Sequence, residues 1–394
     1  MYLILSYCAL AIIIIYIIAS FYIKIKFPFW NIQPVFHFYN LYYWFSPQGI
    51  ISPELPEINK YINLFNIKTL DMNTIDDANL QLVCDFIKKY YLKNKVAEYV
   101  PTKNNIIEYL KSNNHPSFIS IYNDKMLLDN ASGNSEIIGV LSTRAINVRL
   151  KGQSPFTTYY ADNLCVHPGY RSTGIAPKLI QTHYYNIRRY NKNVKTCLFK
   201  REGSMTAIVP LTTFYTYGFS IDSIKPNLNK IEGQYSHIEI TSKNIQLLIR
   251  FIDEQTSNYD CVITPCLTNI SNLLNTGNYF IYGLLCSNAL IACYIFKDPS
   301  LLYSDDKTIE CTTTLFNSLH SDNIFVSGFK LSLQDTREKI KTKYLLIEDN
   351  SNSNIIIKDL LFNGLNPFIK SPTAFFLYNY ASYSSPSSSS FLFY

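Results

Sequence analysis

The stretch YYADNLCVHPGYRSTGIAPKLI, residues 159–180, decides how this chain is read. It opens inside a strand expected from Phe156 to Val166. Pro168 and Gly169 then form a turn, and RSTGIAP leads into a helix from about Pro177 to Tyr190. Ile180, Tyr184 and Ile187 share one face of that helix, and Pro177 suits its first turn. Gly174 and Ala176 let the backbone approach a ligand closely. The turn aims N–H groups at the helix N-terminus, which makes an anion site suited to a pyrophosphate. Arg171 and Ser172 can add side-chain contacts. The pattern R-x-x-G-x-A is common before helices, and its weight comes from its place between a strand and a helix.

Working outward, the flanking segments continue an α/β pattern. Leu80, Val83, Phe86, Ile87 and Tyr90 recur at helical spacing within residues 74–94. Phe118, Ile119 and Ile121 read as a buried strand. Two further strands are expected at 137–143 and 144–150, with Ile146, Val148 and Leu150 alternating in the second. Later, strands are expected at 279–285 and 289–296, joined by a turn at Ser287 and Asn288. Another falls near 308–315, and a helix at 334–343. The strand–strand–helix succession thus occurs twice, as in a duplicated α/β unit. A polar boundary, SIDSIKPNLNK, lies near residues 220–230.

Composition narrows the class. The 394 residues suffice for two ordinary domains, and a hydrophobic fraction of 47% excludes a mainly disordered chain. The net charge of +6 is scattered, without the clustered footprint of a nucleic-acid partner. Nine cysteines, with no CxxC pair, read as reduced core thiols. The six histidines lack metal-ligand spacing, so no metal site is expected. No GxSxG elbow occurs. Residues 1–23, MYLILSYCALAIIIIYIIASFYI, carry no charge and would span about 34 Å as a helix, enough to cross a bilayer. Neither a basic n-region nor a small-x-small cleavage site after the apolar run is obvious, which favours an anchor over a signal peptide. Lys24 and Lys26 follow, placing the rest of the chain on the cytosolic side. Residues 24–60 read as an extended aromatic arm.

Three blocks carry a resemblance. NLCVHPGYRSTGIAPKLI resembles the signature of N-myristoyltransferases (glycylpeptide N-tetradecanoyltransferases), with Leu164, Cys165, Val166, His167, Arg171, Ser172, Ala176, Pro177, Leu179 and Ile180 matching at unchanged spacing. FPFWNIQPV, residues 27–35, is similar to the arm that closes over acyl-CoA in that family, through Phe29, Trp30, Gln33, Pro34 and Val35. FFLYNY, residues 375–380, resembles a block near the family's C-terminus.

The resemblance implies a duplicated Gcn5-related acetyltransferase fold, here behind the transmembrane helix read from residues 1–23, an anchor that departs from the family's usual polar tail. The chain then divides into that anchor (1–23), an acyl-CoA-binding half (24–222) and a peptide-binding half (223–394). It implies transfer of myristoyl from myristoyl-CoA, with no metal, to the N-terminal glycine of acceptor proteins. Phe29, Trp30, Leu164, Cys165, Val166, Arg171, Ser172, Gly174, Ile175, Ala176 and Pro177 would bind the acyl-CoA. The backbone N–H groups of Asn163 and Leu164 would hold the oxyanion, and the main-chain carboxylate of Tyr394 would be the general base. The terminal SSPSSSSFLFY then reads as slack serines followed by an apolar plug that carries the carboxylate inward. Tyr99, Asp162, Thr213 and Tyr378 would face the peptide.

Several positions depart from the family. Lys93 and Lys95 stand where the family has an acidic loop, Ala97 and Lys370 replace peptide-side residues, and FKREG (199–203) replaces a neutral segment. These changes point to acidic or neutral acceptors. Thr173 and Gly174 replace a Lys-Arg pair in the phosphate loop. Two other readings remain open at this stage: acyl transfer to lysine, and a membrane-tethered protein that binds acyl-CoA or myristoylated proteins without turnover.

Overall fold

In the computed structural model, the run Ile137–Leu150 is one strand of 14 residues, not the two expected. It reads as two because its neighbour changes midway. From Ile137 to Thr143 it pairs with Phe118–Asn123. From Asn147 to Leu150 it pairs with Cys261–Thr264. Its other edge carries Phe156–Val166 along most of its length. A strand covered on both faces reads as a continuous apolar run, which hides its continuity. The structure describes residues 2–92, 96–125, 136–203, 206–224, 233–257 and 259–394. Lys93 and Lys95 lie outside the described residues, as does 225–232, most of the expected polar boundary.

This strand belongs to a sheet of 16 strands. Along the main path the order is Ser390–Leu392, Cys261–Thr264, Ile137–Leu150, Phe156–Val166, Cys197–Glu202, Ile369–Tyr378, Thr212–Ser220, Tyr344–Glu348, Asp306–Phe316, Ala289–Lys297, Tyr279–Cys286 and Tyr235–Ile240. Two parallel pairs on this path are strand–helix–strand crossovers. Phe156–Val166 joins Cys197–Glu202 through the helix Ile175–Tyr190. Asp306–Phe316 joins Tyr344–Glu348 through the helix Asp322–Ile340. The repeated unit is therefore real, and the two copies share one sheet. The central strand Ile369–Tyr378 comes from the second half yet lies between Cys197–Glu202 and Thr212–Ser220 of the first.

Local chemistry accounts for several element ends. Asp76 caps the helix Asp77–Tyr90, accepting from the Asn79 N–H at 2.7 Å. Ser287 and Asn288 both adopt positive φ, the geometry of a tight hairpin, between Tyr279–Cys286 and Ala289–Lys297. The helix expected at 334–343 begins at Asp322. Gly328 obscured this in the sequence, yet it is required. The Tyr294 hydroxyl donates to the Phe325 carbonyl at 2.6 Å, and a Cβ at Gly328 would meet that oxygen at 2.4 Å. The first apolar run extends to Lys26 as a helix Tyr2–Lys26 of 25 residues, none buried. It is long and apolar enough to cross a membrane. The expected extended arm contains two short helices, Pro28–Asn31 and Leu41–Phe45.

The tail is not slack. Ser390–Leu392 adds as a parallel strand to Cys261–Thr264. Ser385 and Ser390 engage Leu211 and Thr212, and the carbonyls of Ser387 and Ser389 accept from Ser351 and Asp260. Phe391, Leu392, Phe393 and Tyr394 are all buried. The serines fix the path by backbone and hydroxyl bonds, and the apolar residues fill the core beneath the sheet.

Candidate functional site

The parallel strands Phe156–Val166 and Cys197–Glu202 are joined only at Tyr159↔Cys197 and Tyr160↔Leu198. Beyond that point they splay, and a cavity of about 370 Å³ fills the wedge. That is within the roughly 300–1,000 Å³ of small-molecule sites. Its walls are mainly apolar. Leu141, Ala161, Leu164, Ile180 and Phe199 contribute, and Trp30 closes one side. Trp30 stacks on Phe199 with ring centroids 5.5 Å apart. Phe29 stands edge-on to Trp30 and Tyr61, buried behind the wall.

A bulge sits on the cavity's edge. Leu141 pairs with Leu164 and Thr143 with Ala161, so Ser142 alone faces two residues, Asp162 and Asn163. A bulge breaks the ladder and leaves backbone groups unpaired there. The Asn163 side chain is occupied, donating to Ser142 Oγ at 3.0 Å. Cys165 points away into the core with Val140 and Ile121. Burial pushes its thiol up to about 12, which favours the protonated form and a packing role.

The loop after Val166 has the expected strand–turn–helix setting. Gly174 caps the helix Ile175–Tyr190 with φ +85° and open space where a Cβ would sit. Backbone conformation rather than room therefore calls for glycine. The helix begins at Ile175, so Ala176 and Pro177 lie in its first turn. Arg171 donates to the carbonyls of Val166 at 3.2 Å and Tyr90 at 3.0 Å, bracing the loop from below. Ser172 also has positive φ. His167 Nδ1 accepts from the Gly169 N–H at 3.2 Å, which is an orienting role.

Lys200 lines the cavity and belongs to a cluster of charges around Tyr394; Tyr394, Lys297, Glu310 and Glu348 are not among the lining residues. Lys200 ion-pairs with Glu348 at 2.7 Å, Glu202 at 3.1 Å and Glu310 at 3.5 Å. Lys297 reaches Glu310 at 3.5 Å and lies 4.1 Å from the Tyr394 ring centroid. The Tyr394 hydroxyl donates to Glu348 at 2.6 Å and Glu310 at 3.2 Å. Burial disfavours both carboxylates. At Glu310 the lysines overcome it and hold the group at about 2. Glu348, facing the Glu310 charge, is pushed up to about 7. Nearby, Arg144 Nε holds Asp162 at 3.0 Å. Burial outweighs that arginine and raises the Asp162 carboxyl.

The remaining sequence-derived positions divide. Asp162 lines the cavity. So does Tyr378, but its hydroxyl donates to Gln33 at 2.6 Å, which ties it to the arm. Tyr99 lies one ring behind, packed on the cavity residue Tyr91. Thr213 is exposed on the strand Thr212–Ser220, away from the cavity lining. Sequence reasoning gave no role to His183, which lines the cavity. Burial lowers it to about 3, and it joins Ser120 at 2.7 Å and Thr143 at 2.9 Å as a neutral ring. Its position three residues after Ile180 on the inward helix face was the available signal. Lys297 and Glu310 had none, because their meeting depends on strand register. Among the described residues no group of three metal-ligating side chains is present.

The arrangement matches known architectures. One Saccharomyces cerevisiae N-myristoyltransferase structure with bound myristoyl-CoA superposes with a TM-score of 0.70, covering 92% of this chain and 90% of that chain at 11% identity. A second gives 0.68, covering 91% and 94% at 13% identity. The chain has the N-myristoyltransferase fold. A tandem GNAT protein from the clavulanic acid biosynthesis pathway also aligns, with a TM-score of 0.52 over 81% of this chain and all of that one, at 11% identity. The N-myristoyltransferase fold is thus seen here as two acetyltransferase-like units in one sheet. No family model and no curated protein sequence matches the chain.

Proposed function

We propose that this protein is a divergent N-myristoyltransferase that moves a myristoyl group from myristoyl-CoA to the N-terminal glycine amine of acceptor proteins. The observation that carries this reading is the splayed, apolar cavity with the Asp162–Asn163 bulge on its edge and the Gly174 helix start beyond it. A thioester needs all three features: a channel for the chain, donors at the carbonyl, and amides for the phosphates. The division at 222/223 is kept as acyl-CoA-binding and peptide-binding halves. Lys24 and Lys26 after the apolar helix favour a cytosolic catalytic region.

In this reading Phe29 and Trp30 cover the donor, and Leu164, Cys165 and Val166 form the strand beside it. Arg171, Ser172, Gly174, Ile175, Ala176 and Pro177 form the phosphate loop. A glycine amine, with a pKa of about 8, arrives mostly as ammonium. The Tyr394 main-chain carboxylate takes one proton as the nitrogen attacks the thioester carbon. The C–N bond forms, and the N–H groups of Asn163 and Leu164 hold the oxyanion. Collapse breaks the C–S bond, and the second proton, shed by the nitrogen as the amide forms, goes to the leaving thiolate, which departs as CoA. Tyr99, Asp162, Thr213 and Tyr378 are kept as candidate peptide-side residues.

The test uses the full-length protein in detergent micelles, with myristoyl-CoA and glycine-started peptides of varied charge, following thiol release. A chain ending at Phe391 runs in parallel. Turnover lost on truncation supports the reading with its base. Turnover that survives truncation keeps the transfer and removes the Tyr394 carboxylate. Acyl-CoA binding without turnover on glycine or lysine peptides would replace catalysis by carriage.

A further inference from the structure

Just after the N-terminal helix, the short helix Leu41–Phe45 has two unlike faces. Tyr43 and Trp44 pack on Phe36, with centroids 5.7 and 4.9 Å away, though Trp44 stays partly exposed. Leu41, Tyr42 and Phe45 turn outward. Phe45 is 88% exposed and Tyr42 71%, and Phe38 beside them is half exposed. Large apolar side chains grouped this way mark an interaction surface. From Lys24 to Pro53 the sequence has two lysines and no acidic residue.

The position of this face relative to the N-terminal helix identifies what covers it. The Tyr16 hydroxyl donates to the Tyr39 carbonyl. Lys24 Nζ lies 5.5 Å from the Tyr39 ring centroid. Tyr16 precedes Lys24 by two turns, about 12 Å along the axis. The segment around Tyr39 therefore lies beside the last turns of the helix, not beyond its end. If Lys24 and Lys26 mark the polar surface of a bilayer, Tyr39 and its outward neighbours sit below that surface. A helix that crosses with its Tyr16–Tyr39 bond intact brings Tyr39 to the near leaflet, and Phe38, Leu41, Tyr42 and Phe45 are the exposed apolar residues next to it in the chain. Aromatic residues favour that interfacial zone.

We propose that Phe38, Leu41, Tyr42 and Phe45 form a second membrane contact, inserted in the interface of the bilayer that the N-terminal helix enters. The contact holds the folded region flat against the lipid instead of on a free tether. Depth-resolved fluorescence tests this on the full chain in vesicles of phosphatidylcholine and phosphatidylserine. Trp30 and Trp44 are replaced by Phe, and one tryptophan is introduced by Phe45→Trp or, separately, Ile12→Trp. Lipids brominated near the carbonyl should quench the probe at 45 and block acrylamide, while lipids brominated deep in the chain quench the probe at 12. Quenching at 12 with acrylamide access at 45 would overturn the proposal. A probe at 45 that neither lipid nor acrylamide reaches means that protein covers the face, which also overturns it. If neither probe is quenched by lipid, the helix is outside the bilayer and the proposal falls. None of these readouts depends on acyl transfer.

Discussion

Tyr394 is bound through its hydroxyl to Glu348 at 2.6 Å, so the last side chain of the sequence is gripped by a carboxylate on the strand Tyr344–Glu348. The grip fixes the position of the main-chain atoms of Tyr394. Tyr394→Phe removes one donor from a buried carboxylate that Lys200 still holds. The expected cost is about 1–3 kcal/mol of stability. If the terminal carboxylate is the base, kcat should fall with little change in KM for acyl-CoA. Thermal unfolding and steady-state kinetics measure both.

The two carboxylates at that site give stability opposite slopes with pH. Glu348 is raised from 4.5 to about 7, so between those values the folded state holds the proton and the unfolded state does not. Its contribution is full below 4.5 and is lost as pH rises through about 7. Glu310 is lowered from 4.5 to about 2, so its contribution is full above 4.5 and is lost as pH falls through about 2. Glu348→Gln should abolish the decline between pH 4.5 and 7 and leave the acid limb. Melting temperature against pH for the two proteins checks this.

Gly174→Ala forces a side chain into the left-handed region at φ +85°. The strain is about 1–2 kcal/mol, and it falls on the loop that starts the helix Ile175–Tyr190. Acyl-CoA affinity should weaken by about 5–30-fold while the melting temperature moves little. Calorimetric titration with acyl-CoA measures it.

Trp30→Ala removes the stack on Phe199 and opens one wall of the cavity. An aromatic pair contributes about 0.5–1.5 kcal/mol beyond burial, so KM for acyl-CoA should rise by about 2–12-fold as the wall is lost. Asn163→Ala should behave differently. It deletes the bond to Ser142 but keeps the backbone N–H, so kcat should stay within a few-fold. A large loss of kcat would show that the side chain, not the main chain, acts on the thioester.

The strand–turn–helix around Gly174 was legible in the sequence because its parts are contiguous: strand end, Pro168–Gly169, Gly174, helix. The hairpin at Ser287 and Asn288 was legible for the same reason. What escaped was set by partners distant in sequence. Ile137–Leu150 looked like two strands because Phe118–Asn123 and Cys261–Thr264 share its edge. The helix start at Asp322 was masked by Gly328, whose reason lies on Tyr294. The bulge at Asp162 and Asn163 and the meeting of Lys297 with Glu310 are matters of register, which alternation alone does not encode. The serine tail was judged from composition, whereas its N–H, hydroxyl and carbonyl groups are tied to Leu211, Thr212, Ser351 and Asp260.

The placement of Ile369–Tyr378 between Cys197–Glu202 and Thr212–Ser220 has a consequence for biosynthesis. Those flanking strands emerge from the ribosome more than a hundred residues before the strand that must separate them. Until it arrives, two edges stand open and Tyr378 is missing from the cavity wall. The amino-terminal portion cannot complete its sheet on its own during translation, and such long-range pairing is slow. A ligand for the cavity can therefore be captured only after nearly the whole polypeptide has been made, with the nascent chain already tethered by its first helix if that helix has entered a membrane.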